Sequence, residues 1–248
     1  KYIDDNCLNP VLLFNTHCHI DHIFGNNFIS RKFRLKPIMH QKDYALLENA
    51  EKIARMIVGS QHLRRLALKH SGDINSILNG HGAEVMARAK KEFLAEMERA
   101  NDDADAMLAI RRWRGRSCLA VALSDLASLC DTETQMAWLS RAADTALGAS
   151  LDFLINRAVT RGKIGPVDRS MQGCGWTIIA LGKLGAEELN YSSDVDLIIL
   201  HDLATAPIDQ THAQPFYVSL ARNLVRLMST PTADGIGWRV DLRLRPDP

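Results

Sequence analysis

The chain has 248 residues, with 30 lysines and arginines against 29 aspartates and glutamates, so its formal net charge is only +1. This balance argues against a protein that binds nucleic acid through bulk positive charge. The hydrophobic content of 46% and the charged content of 24% are those of an ordinary globular protein rather than a disordered or collagen-like chain. No apolar stretch approaches the roughly 18 to 20 residues of a membrane-spanning helix, so we predict no membrane partner.

The ends of the chain and its cysteines bear on its origin. The sequence starts at Lys1 in a polar stretch without the features of a secretory signal peptide, and it stops directly after a strand-like alternation. Both ends are therefore expected to be truncations. Five widely spaced cysteines without a C-x-x-C pair are not the pattern of a disulfide scaffold. We predict a protein of the reducing cytoplasm.

Hydrophobic patterning predicts three domains, at residues 1–59, 60–170 and 171–248. The first has an α/β pattern that begins with the apolar run VLLF, and Gly59 and Ser60 supply a helix stop and an N-cap at its end. The second has long stretches at helical spacing, rich in alanine, leucine, arginine and glutamate, which predict a helical bundle. Within it, Asp131 is expected to cap a helix that runs to about Val159.

The third domain returns to alternating strand and helix patterns. Apolar strands are predicted at 176–181 and 196–200, an amphipathic helix near 213–229, and a strand with period-two alternation at 237–244. The predicted fold class is therefore α+β, with an N-terminal α/β segment, a central helical bundle and a C-terminal mixed sheet with helices.

A cluster of metal-binding residue types follows the first predicted strand, in the sequence THCHIDH. Alternate residues of an extended loop point the same way, so His17 and His19 can share one metal ion while Asp21 and His22 face a second. Imidazole and carboxylate ligands suit zinc or a similar divalent ion. The alternative is a polar loop with surface histidines, which so dense a cluster disfavours.

The stretch at 9–58, including NTHCHIDHIFGN, resembles the metallo-β-lactamase superfamily of metal-dependent hydrolases. The resemblance implies a zinc site, but the chain lacks the later histidine and aspartate ligands that complete this site in the family. His81 lies in a segment with helical spacing, and we do not expect it to be a ligand. The zinc site is therefore predicted to be incomplete, because a catalytic ion needs its full ligand set to activate water.

A second constellation lies in the third domain, where GKLG at 182–185 follows a strand and SSDVD at 192–196 follows a short helical stretch. Glycine lets the backbone approach a phosphate, and the N–H groups at a helix start favour anions. Asp194 and Asp196 alternate along a strand, so both carboxylates are expected on one side. With Asp241 from a later strand, they predict the two-metal arrangement of phosphoryl or nucleotidyl transfer. A lone D-x-D would instead be two surface aspartates.

Residues 176–201 and 238–247 resemble the glutamine synthetase adenylyltransferase family, whose catalytic domains are nucleotidyltransferases of the polymerase-β type. The similarity extends back through LRRLALKHSGD (63–73) and LAIRRWRGRSCLAVALSDLASL (108–129). It implies that the C-terminal sheet is a truncated nucleotidyltransferase domain, which transfers AMP to or from a tyrosine of glutamine synthetase. The segment ELNYSSDVDLI (188–198) is more similar to the half that removes AMP by phosphorolysis, so removal is favoured.

The resemblance also implies roles for individual side chains. The catalytic residues would be Asp194, Asp196 and Asp241, which would hold two magnesium ions. Gly182 and Ser193 would contact phosphate oxygens of the nucleotide. Two arginines that share a strand face with the last aspartate would either neutralise phosphate charge or form ion pairs at the strand edge; they are Arg243 and Arg245.

Two unrelated families thus meet near residues 57–63, and each is truncated. We therefore predict a chimera of two fragments, in which the function belongs to the larger part. The alternatives are a zinc-dependent hydrolase and a non-functional chain with neither site complete. The cluster of four arginines around Trp113 is typical of a solvated helix face, and we assign it no role.

Overall fold

The computed structural model describes residues 9–14, 26–38, 53, 56–167, 175–202 and 207–242. In the N-terminal part, strand β1 (Leu13–Phe14) pairs in parallel with strand β2 (Pro37–Ile38). Helix α1 (Asn26–Phe33) lies between them in sequence. This strand, helix, strand order agrees with the predicted α/β pattern.

Five helices between residues 61 and 160 form the bundle that the sequence predicted. They are α2 (Gln61–Lys69), α3 (Ser71–Leu78), α4 (Gly82–Arg99), α5 (Asp103–Leu126) and α6 (Thr132–Thr160). The expected caps are confirmed, because Ser60 Oγ accepts a hydrogen bond from Leu63 N at 3.2 Å and Asp131 Oδ1 accepts one from Thr134 N at 2.8 Å.

Helix α5 is the centre of the bundle, since it packs against α2, α3, α4 and α6. Its Trp113 stacks on Phe93 of α4 with ring centroids 5.6 Å apart. The same indole donates its Nε1–H to Ala142 O of α6 at 2.8 Å. One buried aromatic side chain therefore joins three helices through one face and the edge of its ring.

The arginines around Trp113 do not form the solvated face that the sequence predicted. Arg111 is only 3% exposed, and Arg116 Nε lies 2.8 Å from Asp73 Oδ2 of α3. Among these arginines, Arg112 agrees with the prediction, because its guanidinium is half-exposed and lies 3.7 Å from Glu96. The prediction was wrong because α5 is covered by other helices on several sides, so its cations need partners inside the protein.

The C-terminal part is a three-stranded mixed sheet. Its elements are β3 (Trp176–Ala180), the short helix α7 (Gly182–Gly185), β4 (Val195–His201), helix α8 (Gln210–Ser229) and β5 (Val240–Leu242). Strand β3 is antiparallel to β4, and β5 is parallel to β4 on its other side. The α+β class is thus confirmed.

Helix α8 connects the two parallel strands and packs against α5, α6 and β5. It starts three residues before the predicted point, because the Asp209 carboxylate accepts a hydrogen bond from Thr211 N at 2.8 Å. Leu224, Leu227 and Met228 on its inner face are fully buried. No helix within the described ranges is long and apolar enough to cross a membrane.

Candidate active site

Two of the predicted carboxylates lie side by side on the parallel strands. Asp196, the second residue of β4, is the direct register partner of Asp241 at the centre of β5. Register partners on neighbouring strands point to the same face of a sheet and are separated by the strand spacing of about 4.8 Å. The predicted neighbour relation between these two aspartates is therefore confirmed.

The glycine turn lies directly against one of these carboxylates. Gly182 opens α7 with a φ of +54°, a conformation that other residues rarely adopt. A Cβ at this position would lie 2.7 Å from Asp196 Oδ2. Leu181 N also donates to Asp196 O at 2.9 Å. The turn after β3 and the acidic residue of β4 therefore form one compact unit, which favours glycine for both its conformation and its space.

The same unit depends on a second glycine. A Cβ on Gly185 would lie only 2.5 Å from Ala180 O, the last carbonyl of β3. The short helix α7 can therefore fold back onto the end of β3 only with glycine here. The G-K-L-G spacing that the sequence singled out reflects these two close approaches.

Asp194 is placed differently from the other two aspartates. It precedes β4, which begins at Val195, so it does not share the regular alternation of the strand that the sequence predicted. Its carboxylate instead forms an ion pair with Arg239 Nε, and Arg239 Nη2 donates to Ser192 O at 2.8 Å. The arginine thus holds the segment before β4 at two points.

Arg239 is a residue that the sequence reasoning missed. Both members of its ion pair are more than half exposed, which makes the pair weak in energy but accessible to solvent and ligands. A signal was present, because the alternation predicted at 237–244 puts Arg239 and Asp241 two residues apart, on one face of the predicted strand.

Ser193 is engaged in a local turn. Its hydroxyl donates to Asn190 Oδ1 at 2.8 Å and accepts from Asn190 N at 3.1 Å. Ser192 N donates to the same Asn190 Oδ1 at 3.1 Å. These bonds shape the backbone that leads into Asp194, so the predicted phosphate-contacting hydroxyl is also a structural group.

The bundle positions both strands through Arg114 of α5. This guanidinium donates to Tyr191 O and to Ile236 O, each at 3.0 Å, and lies 5.6 Å from the centre of the Trp238 ring. Tyr191 precedes β4 and Ile236 precedes β5. A single side chain therefore fixes the approach to both carboxylate-bearing strands.

The start of β5 is fixed further by the last residue of α8. Ser229 Oγ donates to Trp238 O at 2.9 Å and accepts from Val240 N at 3.0 Å. Trp238 N in turn donates to Met228 O at 3.0 Å. The crossover helix and the strand are thereby hydrogen-bonded end to end.

Not every predicted site residue can be located. Six of them lie outside the described residues: His17, His19, Asp21, His22, Arg243 and Arg245. His81 lies at the start of α4 with its Nδ1 3.6 Å from Glu84 Oε1. Within the described residues, no group of three or more histidine, cysteine, aspartate or glutamate side chains is close enough to hold a metal ion.

The glycine turn and the paired aspartates lie in a part of the chain that matches a known family. The profile of the glutamate-ammonia ligase adenylyltransferase family matches residues 50–248, and this chain belongs to that family. The profile of the metallo-β-lactamase superfamily matches residues 5–62. The two matches overlap at 50–62, which includes most of the predicted junction.

Curated relatives carry the same family name. The chain is 42% identical over 173 residues to the bifunctional glutamine synthetase adenylyltransferase/adenylyl-removing enzyme of Xanthobacter autotrophicus, a match that covers 68% of this chain. It is 40% identical over 171 residues to the enzyme of the same name from a Bradyrhizobium species, and 40% identical over 149 residues to that of Brucella suis. The matched part spans only 17%, 17% and 15% of these relatives' own lengths.

Proposed function

We propose that the sheet carries part of a metal-dependent nucleotidyl-transfer site, which transfers AMP to or from a tyrosine of glutamine synthetase in the cytoplasm. Phosphorolytic removal is the favoured direction, and nucleotide and phosphate are the small-molecule partners. The observation that carries the proposal is the direct register of Asp196 with Asp241, beside a turn that only glycine fits. The family of the chain and the names of its relatives support the same chemistry.

The residues present fit magnesium in part. Asp196 and Asp241 offer carboxylate oxygens from adjacent strands, which are the ligands that Mg²⁺ prefers. Asp194 can join them only when its ion pair with Arg239 opens. Two bound magnesium ions would supply positive charge that offsets the repulsion between an attacking phosphate and an AMP–tyrosine diester.

The remaining proposed roles belong to groups around the aspartates. Gly182 would contact a phosphate through its backbone, which glycine allows because it has no side chain. The Ser193 hydroxyl would contact a phosphate oxygen from its turn. Arg243 and Arg245 would neutralise phosphate charge, which two or more guanidinium groups do well because of their paired donors.

The proposal is tested by metal binding. Mg²⁺ and Mn²⁺ binding is measured by calorimetry for the wild-type chain and for Asp196→Asn and Asp241→Asn. Each change keeps the side-chain size but removes a charge, so we expect the affinity to fall at least tenfold, or about 1.4 kcal/mol. Glu98→Gln, an exposed charge change on α4, is the matched control and should bind as the wild type does. Equal affinity in all four proteins would refute the metal site.

Arg239→Gln tests whether Asp194 is a ligand of the proposed metal ion. An exposed ion pair contributes up to about 1 kcal/mol, so removing the competing guanidinium should strengthen metal binding by up to roughly fivefold if Asp194 is a ligand. Asp194→Asn should weaken it. If neither change alters the affinity while Asp196→Asn does, Asp194 is a partner of Arg239 and not a metal ligand.

The match of residues 5–62 to the metallo-β-lactamase superfamily favours a zinc hydrolase as the second candidate. Its ligands would be His17, His19, Asp21 and His22. We expect this set to bind zinc weakly, because four ligands divided between two ions leave each ion undercoordinated. Elemental analysis decides between the two: two tightly held zinc ions per chain, lost in His17→Ala, would support the hydrolase instead.

A further inference from the structure

A cavity of about 720 Å³ lies between α2, α5 and the segments that lead into β4 and β5. Its lining includes Tyr191 and Ser192, but not Gly182, Asp196 or Asp241. It is therefore adjacent to the candidate active site and distinct from it. The volume lies in the range of small-molecule sites.

The lining of this cavity is strongly cationic. Arg65 and Lys69 of α2 stand at its exposed rim, and Arg111 and Arg114 of α5 lie deeper. Against these four cations the described part of the lining has one carboxylate, that of Asp234, which is already paired with Lys69. A concave surface with an excess of one sign of charge concentrates ions of the opposite sign.

The floor of the cavity contains a buried guanidinium with an unused donor. Arg111 is 3% exposed, and its Nη1 donates to Leu227 O at 2.6 Å and to Met107 O at 3.2 Å. Its Nη2 donates to Thr230 O. Among the described residues, no acceptor lies within hydrogen-bonding distance of its Nε, and its bonded partners are all neutral carbonyls. Asp234 acts on this cation only through space, so an anion in the cavity would stabilise the buried guanidinium further.

Two histidines of the lining are held neutral mainly by burial. Burial, with Arg116 and Lys69, lowers the pKa of His70 to about 4. Burial, then Arg65 and Arg114, also lowers the pKa of His62. The positive charge of the lining therefore comes from its arginines and Lys69 and not from these imidazoles.

Part of the remaining lining is apolar. This part is formed by Leu63, Leu66, Ala122 and Ile236, with the half-exposed ring of Tyr191 beside them. Such walls accommodate the hydrocarbon or aromatic body of a ligand, while the cations hold its head group. The cationic and apolar parts of the lining together fit a ligand with an anionic head group and an apolar body.

We propose that this cavity binds a small organic anion, a molecule with a phosphate or carboxylate head group and an apolar body. The head group is bound by Arg65 and Lys69 at the rim, and the buried positive charge of Arg111 attracts it from the floor. The body packs against Leu63 and Ile236.

The test uses three probes that share one ring: phenyl phosphate, benzoate and neutral benzamide. Binding to the full chain is measured by calorimetry in the presence of EDTA, so that no divalent ion draws an anion to the aspartates of the sheet. Arg65→Gln removes a rim cation, and Arg64→Gln removes an exposed cation of the same helix that does not line the cavity. We expect an anion to bind and benzamide not to bind. Arg65→Gln should lower the affinity for the anion about tenfold, while Arg64→Gln should leave this affinity unchanged.

The head group that binds more tightly identifies the source of the ligand. Preference for phenyl phosphate indicates a phosphorylated metabolite, and preference for benzoate indicates a carboxylic acid. The proposal is overturned if neither anion binds at millimolar concentration or if benzamide binds as well as they do. Equal weakening by Arg64→Gln and Arg65→Gln also overturns it, since it would show attraction by bulk charge alone.

Discussion

Replacing Gly182 by alanine should destabilise the sheet by two separable effects. The first is conformational, because φ is +54° and the left-handed region is unfavourable for alanine by about 1 to 2 kcal/mol. The second is steric, because the new Cβ would lie 2.7 Å from Asp196 Oδ2. Moving that carboxylate to a poorer rotamer costs a further 0.5 to 1.5 kcal/mol, roughly. The expected total is about 1.5 to 3.5 kcal/mol.

Gly162→Ala is the matched control for this experiment. Gly162 has a similar φ of +63°, but nothing lies within 4 Å of a Cβ placed there. It should therefore show the conformational effect alone. At about 2 to 4 °C per kcal/mol for a chain of this size, Gly162→Ala should lower Tm by roughly 2 to 8 °C and Gly182→Ala by roughly 3 to 14 °C.

The assay is thermal and urea unfolding followed by circular dichroism, with Mn²⁺ binding measured on the folded variants. Only Gly182→Ala should also weaken Mn²⁺ binding, because only that change displaces Asp196. If the two alanine variants lose the same stability and bind Mn²⁺ equally, the close approach of the turn to the carboxylate is not a feature of the protein.

Three further predictions concern the bundle and the junction. Asp73→Asn should destabilise the chain by about 2 to 3 kcal/mol at pH 7 in urea unfolding, because the buried carboxylate accepts from both Arg88 and Arg116. Burial by itself raises the pKa of Asp73, but the hydrogen bonds from Arg116 and Arg88 outweigh burial and hold this pKa below the ordinary 3.8. The difference in the free energy of unfolding between the variant and the wild type should therefore disappear as the pH falls below about 4. The pKa of His70 is lowered to about 4 in the folded chain, so as the pH falls the unfolded chain takes up this proton first. The free energy of unfolding should therefore fall between pH 6.5 and 4, and its slope against pH should flatten in His70→Gln. An unchanged slope would contradict this prediction. Limited proteolysis should cut first near 57–63, and resistance equal to that of the bundle would show a packed interface there.

Much of the fold was predictable because its signals are local. The cap at Asp131, the helix of the crossover and the three strands of the sheet all follow from spacing within short segments. The pairing of Asp196 with Asp241 was predictable as well, since both lie in strand patterns joined by one helix and the connection has few topological solutions.

The contacts that the sequence did not predict join residues far apart in the chain. Arg111 binds carbonyls at 227 and 230, which no helical periodicity can reveal. A pattern of arginines on a helix is the same whether water or another helix covers it. The pairing of Arg239 with Asp194 was missed for a related reason, because the exact residue at which β4 begins depends on its partner strand.

The two hydrogen bonds of Arg114 have a consequence for how this site can be inherited. The guanidinium belongs to the bundle, yet it holds the segments that lead into both parallel strands. A recombination event that moved the sheet alone, from residue 171 onward, would separate these two segments from Arg114 and lose both hydrogen bonds. The smallest transferable unit that keeps the paired aspartates in place therefore begins at α5, well before the first strand of the sheet.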